Sequence, residues 1–218
     1  MCATVGGMTL VQMETVIPGL YASAPEPLPF GRDLVVRAFL LQRPAGNVLV
    51  YSSPRAGAGA DELGGIWRQY LNHWHEAMFA AEGVTAPLFC HAADRAEVAQ
   101  RAPVRAAFSR RHMLDDDLEV IPTPGHTPGA TAYLWDTGEH RCLFTGDTIL
   151  LRGDDWRAAV LDSSDRAAYL QSLALIRELD FDVLVPWVAT AGGPDHVLTD
   201  RADAGRRIDA MIARIESG

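Results

Sequence analysis

The chain has 218 residues, 48% hydrophobic and 22% charged, a globular balance that excludes a disordered chain. No apolar run approaches the roughly 20 residues that span a bilayer, and Met1 to Val11 lack the basic start and apolar stretch of a secretory signal. Net charge is −9, from 28 acidic and 19 basic residues, which argues against a nucleic-acid-coating surface.

All the basic residues are Arg, so a Schiff-base lysine, a P-loop lysine and a lysine nucleophile are excluded. Cys2, Cys90 and Cys142 lie far apart with no C-x-x-C, which supports neither a disulfide framework nor a cysteine zinc ribbon. A cytoplasmic setting is expected from this cysteine usage. The length fits one domain over residues 1–218.

Thr9 to Ile17 reads as a weak strand closed by Pro18-Gly19, and Leu34 to Arg43 as a strong one. The turn Pro44-Ala45-Gly46-Asn47 leads to a strand over Val48 to Ser52, predicting an antiparallel hairpin. Ala60 to Ile66 is a short helix, Arg68 to Leu71 a strand running into His73, and Glu76 to Glu82 a helix ended by Gly83. Pro87 to His91 is a strand and Ala93 to Arg101 a helix stopped by Ala102-Pro103.

Strands return at Leu118 to Ile121, Thr131 to Asp136 and Arg141 to Phe144, the last two joined by Asp136-Thr137-Gly138-Glu139. Ser164 to Leu179 is an amphipathic helix with Tyr169, Leu173 and Ile176 on one face. Asp182 to Pro186 is a strand, and Asp200 to Glu216 a closing helix with Ile208, Met211, Ile212 and Ile215 together. The order predicts two similar halves, each a sheet with helices on its outer side.

No G-x-S-x-G is present, so a nucleophile elbow is absent. Gly57-Ala58-Gly59 fails as a dinucleotide loop because the third glycine position holds Glu62, whose charge would oppose a pyrophosphate. The chemistry gathers at histidine. His73-Trp74-His75 places two imidazoles two residues apart, and in extended backbone such residues point to one side and reach one metal ion. His126 stands between two Pro-Gly pairs in Thr123-Pro124-Gly125-His126-Thr127-Pro128-Gly129, a loop whose backbone is fixed. Asp147 follows Leu143-Phe144-Thr145-Gly146 at the end of a short apolar strand.

TPGHTPG, then LFTGDT, with H-x-H about fifty residues upstream, resembles the metallo-beta-lactamase superfamily along almost the whole chain. The resemblance implies an α/β fold, a four-layer αββα sandwich, with metal held at one edge by His73, His75, His126 and Asp147. The family pattern H-x-H-x-D-H reads here His73-Trp74-His75-Glu76-Ala77-Met78, so its aspartate and last histidine are Ala77 and Met78. A further family histidine falls near Pro186-Trp187-Val188 and is absent. All three departures concern the second metal site.

The resemblance therefore implies one ion, zinc as the first expectation, on three histidines, with Asp147 as fourth ligand or partner for bound water. Glu76 and His196 are weighed as substitutes for lost ligands. Glu76 is expected instead to be an acid in a helix's first turn, His196 a surface residue, and Trp187 a filler of the vacated space. His91, His112 and His140 lack motif context and are expected at the surface.

Three readings follow. The first is a single-ion hydrolase acting on a small molecule. The second is an iron enzyme like the persulfide dioxygenases, using His73, His126 and Asp147. The third is a metal-poor relative that binds without catalysis. Arg201, Arg206, Arg207 and Arg214 give a weak hint of the basic C-terminal region found in members acting on glutathione thioesters.

Overall fold

The computed structural model describes residues 13–80 and 84–217. Among these residues the strands form three sheets. The first runs, in spatial order, through Glu14–Ile17, Leu20–Ala22, Phe39–Leu41, Val48–Val50, Arg68–Tyr70, Leu88–His91 and Val104–Phe108. The second runs through His112–Leu114, Leu118–Pro122, Thr131–Asp136, Arg141–Gly146, Val183–Pro186 and Val197–Leu198. The third contains Asp155–Arg157, Leu150–Arg152, Val188–Thr190, Gly31–Val36 and Glu26–Leu28.

Strand alternation assigns the layers. Cys142, Phe144, Val183 and Val185 pack with Leu20, Phe39, Leu41, Val48 and Val50 in the core between the sheets. The intervening Leu143 and Leu184 face the other way. There they meet Tyr169, Leu173 and Ile176 of helix α2 (Arg166–Arg177), and Ile208, Met211 and Ile215 of helix α3 (Arg201–Ser217). This period-2 division of buried side chains is what a sheet covered on both faces requires. Among the described residues, the outer face of the first sheet carries only short elements: a 3-10 turn at Ala60–Leu63, another at Trp74–Met78, and the five-residue helix α1 (Arg95–Ala99). The four αββα layers are present, with the first helical layer thin.

Most expected elements stand within two residues of the expected bounds, and the hairpin Phe39–Leu41 to Val48–Val50 is antiparallel. Among the described residues, the helices expected over Ala60 to Ile66 and from Glu76 are 3-10 turns at Ala60–Leu63 and Trp74–Met78, and one expected strand also needs correction. Leu34 to Arg43 is not one strand. It splits at Arg37–Ala38 into Gly31–Val36 of the third sheet and Phe39–Leu41 of the first. The crossing is held by Arg37 N–H donating to Trp187 O (3.3 Å) and Ala38 N–H donating to Ser23 Oγ (3.0 Å). Residues 1–12, which include the start of the expected first strand, lie outside the described residues, as does the expected helix end at 81–83.

Candidate metal centre

Four side chains meet where the two halves face each other. His73 Nε2 lies 3.4 Å from Asp147 Oδ2, His126 Nε2 lies 3.5 Å from the same oxygen, and His75 Nδ1 lies 3.0 Å from His126 Nε2. One ligand atom from each of the four fits within 4.8 Å of every other. His73 and His126 are buried, and the Asp147 side chain is 14% exposed.

The backbone delivers the histidine pair differently from the sequence expectation. His73 alone is extended, at φ −154° and ψ 167°; the 3-10 turn begins at Trp74, so His75 already sits on it. The two rings converge, 5.1 Å apart and nearly perpendicular, because the chain bends between them. His73 therefore offers Nε2 and His75 offers Nδ1.

The outward nitrogens are tied down. His73 Nδ1 faces Glu76 Oε1 at 3.1 Å and Asn72 Oδ1 at 3.0 Å, and His126 Nδ1 faces Ala159 O at 2.6 Å. These acceptors keep a proton on each Nδ1 and aim the inner nitrogens at one another, the orientation a metal ligand requires once an ion displaces the second proton of His73. His73 Nε2 and one oxygen of Asp147 are buried with no hydrogen-bond partner among the described residues. Such orphans cost free energy unless something satisfies them, so the donor set fits a metal ion.

The loop 123–129 is held by close approach. Gly125 has φ +144°, and a Cβ there would come within 2.5 Å of the Tyr169 backbone, so α2 packs directly onto the loop. Asp94, buried, accepts from Gly129 N–H (2.8 Å), Thr127 Oγ (2.7 Å) and Trp74 N–H (3.0 Å). One carboxylate thus binds the loop of His126 to the turn of His75. Asp147 is aimed by Gly146, whose φ is +55° and whose absent Cβ makes room for the Asn72 side chain. Tyr51 OH accepts from Gly146 N–H (2.8 Å) and donates to Val185 O (2.7 Å), bridging an irregularity in the parallel pairing of Arg141–Gly146 with Val183–Pro186.

The sequence did not point to Asp94, Asn72 or Tyr51 in these roles. Glu76 is more than an acid favouring a helix start. It is fully buried and accepts from Asn72 N–H (3.0 Å), His73 N–H (3.3 Å) and His73 Nδ1, but it is not in the four-residue cluster. His196 pairs with Asp195 at 2.8 Å and also stays out of the cluster. His91, His112 and His140 stay out as well; His112 is exposed, and the other two are half-buried. Ala77 is buried among Leu71, Ala80 and Leu88, and Val188 lies in the intersheet core. Met78 and Trp187 line the cavity beside the cluster, with Trp187 Nε1 donating to Ser52 O at 2.7 Å.

The electrostatics are strongly coupled. Burial opposes a charge on His73, but Asp147 and Glu76 together prevail and raise it to about 10. His75 is lowered to about 4 by burial and by repulsion from His73 and His126. His126 is lowered by burial and by His73. Burial would raise Asp147, yet His73 above all holds it below the usual carboxylate range, while burial raises Glu76 despite His73. Asp147 is therefore ionised at neutral pH.

The cavity over the centre has a volume of about 430 Å³. Its walls are largely apolar, with Arg101 on the rim.

Solved structures share the architecture. A metallo-beta-lactamase from Erythrobacter litoralis, with beta mercaptoethanol in its active site, aligns with TM-score 0.70 at 16% identity, covering 95% of this chain and 98% of that one. A Cronobacter sakazakii metallo-beta-lactamase described by a HARLDQ motif gives 0.65 at 15%, covering 95% and 93%. GOB-18, a metallo-beta-lactamase from Elizabethkingia meningoseptica, gives 0.65 at 14%, covering 99% and 96%. Among curated proteins none matches the chain in sequence. At these identities the likeness is one of fold, and membership rests on sequence: the metallo-beta-lactamase superfamily model matches residues 35–186. With more than half its length matched and the expected His/Asp cluster assembled, the chain belongs to the metallo-beta-lactamase superfamily.

Proposed function

We propose that the protein is a single-ion hydrolase of small molecules, with His73, His75 and His126 holding one zinc ion and Asp147 beside it. The observation that carries this reading is the convergence of His73 Nε2, His75 Nδ1, His126 Nε2 and Asp147 within 4.8 Å, while Glu76 and Ala159 engage the outward nitrogens of His73 and His126. Once an ion displaces the proton that Asp147 and Glu76 hold on His73, three imidazoles with an open side are the donor set of a catalytic zinc. Such an ion supplies Lewis acidity and activates water at neutral pH.

The chain's own groups do the rest. Glu76 and Ala159 O orient two of the imidazoles. Asp147, ionised, serves as fourth ligand or as acceptor for the proton of the attacking water. Met78 and Trp187 occupy the side where further polar ligands would be needed for a second ion, which supports one ion rather than two. The convergence of His75 with the other three groups favours the three-histidine set over a two-histidine, one-carboxylate iron site.

The test is elemental analysis of untagged protein, followed by turnover of a panel of p-nitrophenyl esters, thioesters and lactones. Near one zinc per chain and ester- or lactone-type hydrolysis are expected, with both lost in His126→Ala. Iron in place of zinc, no ion after titration, or hydrolysis surviving His126→Ala would overturn the reading.

A further inference from the structure

The cavity over the centre combines features that a polar substrate would not need. Among the described residues, Phe30, Trp67, Met113, Leu161 and Leu198 are large apolar side chains left exposed, and two of them, Phe30 (86% exposed) and Leu161 (43%), lie on this cavity. Phe30 sits between the strands Glu26–Leu28 and Gly31–Val36, and Leu161 in the segment that leads from the third sheet to α2. Two separate parts of the chain thus bring apolar surface to one mouth. Deeper in, Met78 and Trp187 continue the apolar wall. Concentrated apolar exposure marks a surface that a partner covers.

Against this wall stands one guanidinium. Arg101 follows helix Arg95–Ala99, is exposed, and has no ion pair or side-chain hydrogen bond among the described residues. Most arginines of the chain are engaged; Arg43, Arg111 and Arg177, for example, each hold a carboxylate. Among the described side chains, Arg101 is the sole Arg on the cavity, and the one carboxylate there, Asp147, belongs to the centre. One permanent cation among the described, otherwise apolar rim side chains matches a ligand with one negative charge, a carboxylate, better than a phosphate monoester carrying nearly two.

We propose that the cavity recognises a medium-chain organic carboxylate, its charged group on Arg101 and its apolar body on Phe30, Met78, Leu161 and Trp187. This rests on the reading of the centre as hydrolytic: the bond to be cleaved lies along the apolar body where it passes His75 and His126, and Arg101 acts as a specificity residue remote from the bond.

The experiment is binding of octanoate, octyl phosphate and octylammonium, followed by calorimetry and by the fluorescence of Trp74 and Trp187, in protein freed of metal with a chelator and again after zinc loading. Octanoate is expected to bind in both forms and more tightly than the other two. Arg101→Ala is expected to weaken it about tenfold, the worth of one charge-assisted contact, and Phe30→Ala to weaken it severalfold. The proposal is overturned if octylammonium or octyl phosphate binds as well as octanoate, if Arg101→Ala changes nothing, or if octanoate binds only with zinc present, its carboxylate then sitting on the ion. Zinc uptake, measured on the same samples, tests the hydrolytic reading separately, because the metal-free arm reports on Arg101 whether or not zinc binds.

Discussion

At the scale of single residues, the centre depends on side chains that never touch a ligand. Glu76 is the clearest. It lies fully buried, anchored by two backbone N–H groups of its own turn, and faces His73 Nδ1. A partner of this kind fixes the tautomer and makes the opposite nitrogen a better donor, and its loss commonly costs about 10- to 100-fold in metal affinity. Glu76→Gln keeps the shape and removes the charge. Zinc affinity by competition with a chromophoric chelator is expected to fall by about tenfold or more, with the fold intact by circular dichroism. Unchanged affinity would reduce Glu76 to a helix-start residue. Gly146 shows the opposite logic, a side chain that must be missing. A Cβ there would sit 2.0 Å from Asn72 Oδ1, and Asn72 Oδ1 is itself a partner of His73 Nδ1. The glycine of TGDT is thereby linked to the imidazole of His73, 73 positions earlier, for a steric reason that the motif alone does not state.

At the scale of elements, the most informative feature is the joint between the two facing sheets around Arg43. Its side chain is fully buried just beyond the strand Phe39–Leu41. It donates to Asp117 (3.0 Å from Nε) and Asp115 (3.0 Å), in the turn between two strands of the second sheet, and to Leu114 O (3.2 Å) at the end of the first of those strands. Trp135 Nε1 adds a bond to Asp117 at 3.2 Å. Burial works against the Asp117 charge, but Arg43 and Trp135 prevail and hold its pKa below the ordinary 3.8. A carboxylate depressed in the folded state contributes stability that is fully present above its unfolded pKa. That contribution is lost as pH falls through the folded value. Asp117→Asn leaves a buried guanidinium with Asp115 alone, and an expected loss of about 3 kcal/mol at pH 7. Urea denaturation at pH 7 and at pH 3 checks this: the gap between wild type and variant should narrow at the acid end. Element identity was mostly legible in the sequence, because alternation and Pro-Gly punctuation mark strands and turns locally. The split of Leu34 to Arg43 was not, because both sides of the joint are apolar and each half is buried in its own sheet. The partners of Arg43 lie more than 70 residues away, beyond the reach of any local pattern.

At the scale of the whole molecule, the four centre residues come from both halves. His73 and His75 belong to the first sheet's side, and His126 and Asp147 to loops of the second. The members of the cluster were legible because three short motifs, H-x-H, TPGHTPG and LFTGDT, carry them. The supporting network was not, since Asp94, Asn72 and Tyr51 act across separations of 20 to 95 residues. An ion binding only the folded chain stabilises it by mass action, about 4 kcal/mol at a thousandfold excess over Kd. For a chain of this length that corresponds to a rise in Tm of roughly 10 °C. Thermal unfolding with zinc and with chelator is expected to show that gap in the wild type and not in His126→Ala; equal Tm values would mean the centre does not hold the ion. The seat of Asp147 carries a consequence for synthesis. Gly146, just before it, is fixed through Tyr51 to Val185. A chain emerging from the ribosome N-terminus first presents His73 and His75 long before that support exists. On the proposed reading, secure capture of an ion therefore waits for the strand Val183–Pro186 to pair, so loading follows assembly of the second sheet and does not guide it.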